Sequence, residues 1–221
     1  MADARELLQK IRTGLKPLEG KILHHRYLEA LQTGRVAREK LRIFAGQQYH
    51  IIASDLRSIA LLLCRHGNLA SRLYILAVHE GENAAFEALA QFAHALEMSD
   101  EELSASEPIP AALAYSAFVA WLGLYGSDAE LAAAFSVNLP AWGANCGRMS
   151  AALKAEYHLA PDAVAFFDLF ANLPSADDMA RAVIQGGLDR GVAPLLIERA
   201  SRLLQGYELM YWDTMAEVAA L

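Results

Sequence analysis

The chain has 221 residues, 55% of them hydrophobic and 20% charged, with a net charge of −7, so it can fill a substantial core. It has a pI near 5.5 and no Lys/Arg cluster, which argues against a nucleic-acid partner. No apolar run reaches roughly 18 residues without a charge, so no membrane span is expected.

The opening, MADARELLQKIRTGLK, mixes both charge signs and carries no apolar leader segment. Two cysteines, Cys64 and Cys146, lack metal-type spacing. Together these predict a cytoplasmic protein with reduced thiols. Apolar positions recur with helical period almost throughout, and β-branched alternation is nearly absent, so the chain reads as all-α.

In chain order, TGLKPLEG (13–20) separates a first short helix from a second. QTGRVARE (32–39) leads into a long helix over about 36–65, which RHGN (65–68) ends, with Gly67 as its stop. A further helix is predicted over about 69–97. SDEE (99–102) is a capping box opening a brief turn, and SEPIP (106–110) breaks the chain before a helix over 111–125. SDAE (127–130) is a second capping box and opens a helix to about 156. HLAPD introduces a short helix near 161–171, and NLPSADD caps one near 175–190. Gly191 and Pro194 punctuate the start of the last helix. The expectation is one helical domain over 1–221, a bundle of eight or nine helices with no sheet.

In such a bundle, functional groups project inward from facing helices, so polar residues on apolar stripes are the candidates. Gln48, Ile52, Asp55, Ile59 and Leu62 step by three and four along one face. The plain alternative is a rim position, with Asp55 paired to Arg57 or another basic group. Phe135, Asn138, Trp142, Asn145 and Met149 form a second stripe, with Pro140 inside the helix. Pro140 removes a backbone hydrogen bond and bends the axis; Asn138 and Asn145 could instead serve the carbonyls it frees. Cys146 reads as a buried, inert thiol. In the last helix, Leu204, Glu208, Tyr211 and Met215 align, beside Leu203, Tyr207, Met210 and Thr214. Burial there would raise the pKa of Glu208 and make it a usable acid or base near neutral pH; the alternative is a Glu at the edge with its head in water.

Metal and triad chemistry are weaker readings. His79, Glu80 and Glu82 form the densest ligand-like cluster, with Glu87 two turns from Glu80 on one face, but no Glu-x-x-His occurs, so no metal is expected. There is no Gly-x-Ser-x-Gly for a serine hydrolase. Asp177 and Asp178 are explained by the first turn of a helix.

The segment HHRYLEALQTGRVAREKLRIFAGQQYHII resembles the opening of the TenA, PqqC and CADD-like group, and LEMSDEEL resembles a turn of the same group. GYELMYWDTMA resembles the TenA C-terminal signature Tyr-Glu-x-x-Phe-Trp-x-Met. The resemblance implies a heme-oxygenase-like helical fold and places Glu208 at the family's C-terminal Glu. It also implies several chemistries. TenA proteins hydrolyse aminopyrimidines in thiamin salvage, PqqC is a cofactor-free oxidase, and CADD-like relatives include dimetal oxygenases. Three positions depart from the TenA pattern. Ala141 stands where a Cys nucleophile follows Leu-Pro, Gln48 where an Asp is usual, and Asn145 where a Tyr is common. The His-x-x-x-Asp-x-x-His run of the dimetal members is also missing, because FFDLFANLPSADD contains no His.

The sequence therefore leads to a buried pocket for a small, flat, heterocyclic molecule. Gln48, Asp55, Asn138, Asn145 and Tyr207 would line it, Trp142 and Tyr211 would supply stacking faces, and Glu208 would be the acid/base. The chemistry would be hydrolysis or cofactor-free oxidation, with no bound cofactor. A dimetal oxidase with unusual ligands and a non-catalytic ligand-binding or helper protein are the rivals. A homo-oligomer, dimer or larger, is expected.

Overall fold

The computed structural model describes residues 3–67 and 71–221. Its helices are α1 (Ala4–Leu23), α2 (Arg26–Gln32), α3 (Arg38–His66), α4 (Arg72–Ala95), α5 (Asp100–Ser104), α6 (Pro110–Tyr125), α7 (Asp128–Glu156), α8 (Ala165–Ala171), α9 (Asp177–Asp189) and α10 (Pro194–Val218), with a 3-10 turn at Asp162–Val164 before α8. Nine of them have seven residues or more, and no strand occurs among the described residues. Among those residues no helix is long and apolar enough to cross a membrane. Asn68, in the expected break after α3, and the expected helix start at 69 lie outside the described residues.

Both expected capping boxes form. Ser99 accepts from the Glu102 amide while Glu102 reaches back to the Ser99 amide, and Ser127 pairs with Glu130 in the same way. Pro110 and Pro194 sit in the first turn of α6 and α10, where a missing N–H costs nothing. Gly191, at φ 92°, supplies the left-handed residue between α9 and α10.

One expected break is absent: α1 runs unbroken from Ala4 to Leu23 through Pro17. Pro17 and Thr13 are both exposed, so water can serve the Thr13 carbonyl that the ring leaves without its donor. The buried stripe of Leu7, Leu8, Ile11 and Ile22 holds the helix on either side. Pro140, inside α7, leaves the Ser136 carbonyl in the same position. Here protein replaces water: Arg12 on α1 donates to that carbonyl (3.1 Å), to Ser136 Oγ (2.8 Å) and to Asp177 Oδ1 (2.7 Å). The freed carbonyl is thus answered by an arginine from another helix, not by the Asn138 or Asn145 amides.

The apolar core is in two parts. One cluster holds Phe44, Ile52, Phe92, Met149, Phe167, Trp212 and their neighbours, and the other holds Leu8, Ile59, Tyr74, Phe135, Ile184, Leu204 and theirs. Six helices run through both; along α1 the change falls between Ile11 and Ile22. Along α3 the change from one cluster to the other falls between Ile52 and Ile59, along α4 between Ile75 and Ala85, and along α6 between Ala112 and Val119. Along α7 it falls between Val137 and Ala141, and along α10 between Leu204 and Tyr211. The residues in those gaps include Asp55, Glu82, Tyr115, Asn138, Gln205 and Glu208. The polar residues that look misplaced on single stripes form one layer between two apolar half-cores. Helix backbones approach closely beside it: a Cβ on Gly123 of α6 would lie 2.9 Å from the Ser58 carbonyl of α3.

Candidate functional site

The polar layer encloses a cavity of about 50 Å³, lined by Gln48, Ile51, Ile52, Asp55, Glu82, Tyr115, Asn138, Leu139, Trp142, Phe170, Glu208 and Tyr211. A water needs about 10–15 Å³ of such space, so the cavity has room for a few waters. A larger guest requires the aromatic walls to give way.

Glu208 is 2% exposed. Trp212 Nε1, four residues along the same helix, donates to its Oε1 at 3.1 Å, and Asn138 Nδ2 donates to its Oε2. Asn138 Nδ2 also donates to Gln205 Oε1 at 3.0 Å, and the Tyr115 hydroxyl donates to Asn138 Oδ1 at 3.2 Å. Asn138 therefore joins α6, α7 and α10 at one point. Burial pushes the Glu208 carboxyl up to about 7, against the opposing pull of the Trp212 and Asn138 hydrogen bonds.

On the other wall, Asp55 is buried and its Oδ1 has no hydrogen-bond partner. Burial and then the Glu82 charge hold its carboxyl well above the usual carboxylate range. Burial raises Glu82 to about 7 as well. The expected rim alternative, pairing with Arg57, does not occur, because Arg57 is exposed while Asp55 faces inward. The Tyr211 hydroxyl is also without a hydrogen bond, with Gln48 the polar group beside it. Trp142 stands edge-on to both Tyr211 (6.2 Å, 73°) and Phe170 (5.8 Å, 81°), the favoured geometry for aromatic pairs.

Of the residues singled out from sequence, Gln48, Asp55, Asn138, Trp142, Tyr211 and Glu208 come together here. Asn145 and Tyr207 do not. Asn145 is buried elsewhere and donates to the Ile22 carbonyl near the end of α1 (3.2 Å). Tyr207, one step round α10 from Glu208, packs on Phe118 with ring centroids 5.4 Å apart, in a separate surface hollow. A site face narrower than the apolar face explains both. Two polar lining residues, Glu82 and Tyr115, stand outside the set expected from sequence. Glu82 belongs to the ligand-like cluster with His79 and Glu80, of which Glu80 is exposed. Tyr115 lies in a helix apolar on every side, PAALAYSAFVAWLGLY, where no stripe marks it.

Ala141 is buried at 1% exposure and offers no nucleophile. Cys146 is fully buried, and burial followed by the Glu208 charge raises its thiol well above the usual range, which keeps it protonated. Among the described residues no three His, Cys, Asp or Glu side chains are grouped to hold a metal ion.

Solved structures share this architecture. A TenA family transcription regulator from a Silicibacter species superposes with a TM-score of 0.74 at 19% identity, covering 97% of each chain. A TenA homologue from P. horikoshii gives 0.74 at 15% identity, covering 96% of this chain and 99% of its own. Heme oxygenase-1 from Synechocystis, in complex with heme, gives 0.69 at 15% identity, covering 96% of this chain and 91% of its own. The cavity described here is far smaller than a porphyrin and has no histidine in its lining, so its residues do not fit that group. No curated protein matches the sequence. The TENA/THI-4/PQQC family model matches residues 12–168, most of the chain, and the protein accordingly belongs to the TENA/THI-4/PQQC family.

Proposed function

We propose that the cavity binds a small, flat, heterocyclic molecule and that Glu208 moves a proton to or from it, in a hydrolysis or a cofactor-free oxidation of the kind found in this family. The observation that carries this reading is a carboxyl buried to 2% exposure and facing a cavity with aromatic walls. Raised to about 7, it is poised to act as acid or base at neutral pH. With Ala141 where the resemblance places the TenA nucleophile, a hydrolytic route would use water directly, activated by a carboxylate.

The surrounding amides suit a carboxyl that changes state. Ionised Glu208 accepts from Asn138 and Trp212. When protonated it must donate, and Trp212 can only donate. Turning over the Asn138 amide offers its Oδ1 as acceptor. Gln205 Nε2, which has no partner in the ionised arrangement, then gains one in that same Oδ1 if Gln205 turns as well.

Native mass spectrometry of the purified protein, followed by turnover assays on aminopyrimidine compounds, tests this reading. Glu208→Gln should abolish turnover, or weaken retention of any co-purified heterocycle, while the protein stays folded. A variant that stays folded and retains full binding and turnover would show that Glu208 is structural. A second reading, a binding protein without catalysis, is favoured by Ala141 alone; it requires tight binding with no turnover in the wild type.

A further inference from the structure

Outside the central cavity, a hollow of about 370 Å³ lies between α1, α7 and α10, within the volume range of small-molecule sites. Leu15, Val137 and Pro140 give it apolar walls, Arg12 and Lys16 bring positive charge, and Gln205 lies at its floor. Gln205 does not line the central cavity.

Two features fit this hollow to a guest that accepts hydrogen bonds. Gln205 is fully buried, its Oε1 accepts from Asn138 Nδ2 at 3.0 Å, and its Nε2 has no acceptor. A buried amide N–H left unpaired is costly, and the Asn138 bond fixes which end of the amide is left over. The second feature is charge. Among the described residues Arg12 is engaged through Nη2 alone, on Ser136 and Asp177, so its Nη1 hydrogens remain to donate. Lys16 is exposed. Of the two acids at the hollow, Asp177 is neutralised by Arg12 at 2.7 Å, and Glu19 stands one turn from Lys16 on α1.

We propose that this hollow is a second binding site, for a small carboxylate. One carboxylate oxygen accepts from Gln205 Nε2, Arg12 and Lys16 balance the charge, and an apolar tail lies against Leu15, Val137 and Pro140. Bulk water does not reach Nε2, so the guest meets it through a small outward turn of the Gln205 side chain that keeps the Asn138 bond.

Occupancy of the hollow is felt at Glu208. The Gln205 orientation that offers Nε2 to the hollow is the one that leaves Asn138 Nδ2 on the Glu208 carboxylate. In the turned-over arrangement that suits a protonated Glu208, the same position presents Oε1, which repels a carboxylate. An occupant therefore selects the arrangement that belongs to ionised Glu208, and that arrangement binds the occupant more tightly in return. This link rests on the reading of Glu208 as the group that moves a proton; the site itself does not.

Butyrate and butan-1-ol share a four-carbon chain and differ in the carboxylate, which makes them the probes. Titration of the isotope-labelled protein, followed by NMR, should show butyrate moving the Gln205 side-chain amide and the backbone amides of Arg12, Lys16 and Val137 along a saturable curve. Its affinity should exceed that of butan-1-ol at least about tenfold (~1.4 kcal/mol). Gln205→Met, apolar and of similar length, should weaken butyrate at least about tenfold. Lys16→Ala, at an exposed position, should weaken it about threefold and serves if Gln205→Met does not fold. Glu208→Gln lies outside the hollow but should weaken butyrate as well, because the new side chain donates to Asn138 and turns that amide over. No saturable shift at the hollow at tens of millimolar butyrate overturns the site. So do equal affinities for the two probes, or a butyrate affinity that neither Gln205→Met nor Lys16→Ala changes, which is adventitious surface binding. If butyrate binds as expected but Glu208→Gln leaves its affinity unchanged, the link to Glu208 is overturned and the site stands. The reading of the central cavity is tested separately, by turnover, and survives failure of the hollow.

Discussion

Replacing Glu208 by Gln should change how stability depends on pH. In the folded protein burial raises this carboxyl from 4.5 to about 7. Between those values the folded state holds a proton that the unfolded state has released, so stability falls as pH rises. At about 1.4 kcal/mol per pH unit, Glu208 costs about 3 kcal/mol by the time pH passes 7, and almost nothing below 4.5. The loss is complete above the folded value and absent below the unfolded one. Glutamine does not titrate. In acid it stands in for the protonated carboxyl, which likewise keeps one acceptor oxygen and donates from its other atom. Only against the ionised carboxylate does it lack the second acceptor for Trp212 and Asn138. In urea denaturation of both proteins from pH 4.5 to 8, the variant should stay close to wild type in acid and gain on it by about 3 kcal/mol across the range. Asp55 and Glu82 tilt both curves alike, so the difference curve isolates Glu208. Two parallel curves would refute the claim that Glu208 titrates while buried.

Arg12→Ala should cost about 2 kcal/mol in urea denaturation, because it removes the donor to the Ser136 carbonyl. Adding Pro140→Ala, which restores an amide for that carbonyl, should recover part of the loss, and strict additivity of the two changes would disprove the link. Assembly as a dimer or larger is also expected: Trp121, Leu124 and Tyr125 on α6 are 48%, 53% and 71% exposed, an apolar surface that such a contact would cover. Light scattering at micromolar concentration that shows only a 24.1 kDa species would count against it.

Helical period made most of the bundle legible in the sequence, down to both capping boxes, because Ser-x-x-Glu before an apolar run has a local cause. The break expected around Pro17 does not form because water can serve the Thr13 carbonyl that the ring frees, and that exposure is not written in the local sequence. Asp55, Asn138 and Glu208 were visible as polar residues on apolar stripes. Glu82 and Tyr115 were not, since the first lies in a polar run and the second in an apolar one, and only the packing of α4 and α6 against α3 and α10 turns them to the same cavity. Asn145 shares the stripe of Asn138, but α1 ends against it and takes its amide. A stripe is wide enough to touch several neighbours, and sequence does not say which neighbour each residue meets.

The division of the core by a polar layer bears on how the molecule opens. An undivided core lets go all at once, whereas two half-cores joined through a layer that includes orphaned groups offer a plane of weakness. Amides near that plane, on α3 around Asp55 and on α10 around Glu208, would then exchange with solvent through partial openings well before global unfolding. A guest in the cavity touches residues from α3, α4, α6, α7, α8 and α10 at once. Bound there, it would fasten the halves together, and its presence would register as slowed amide exchange on both sides of the plane, far from any atom it contacts.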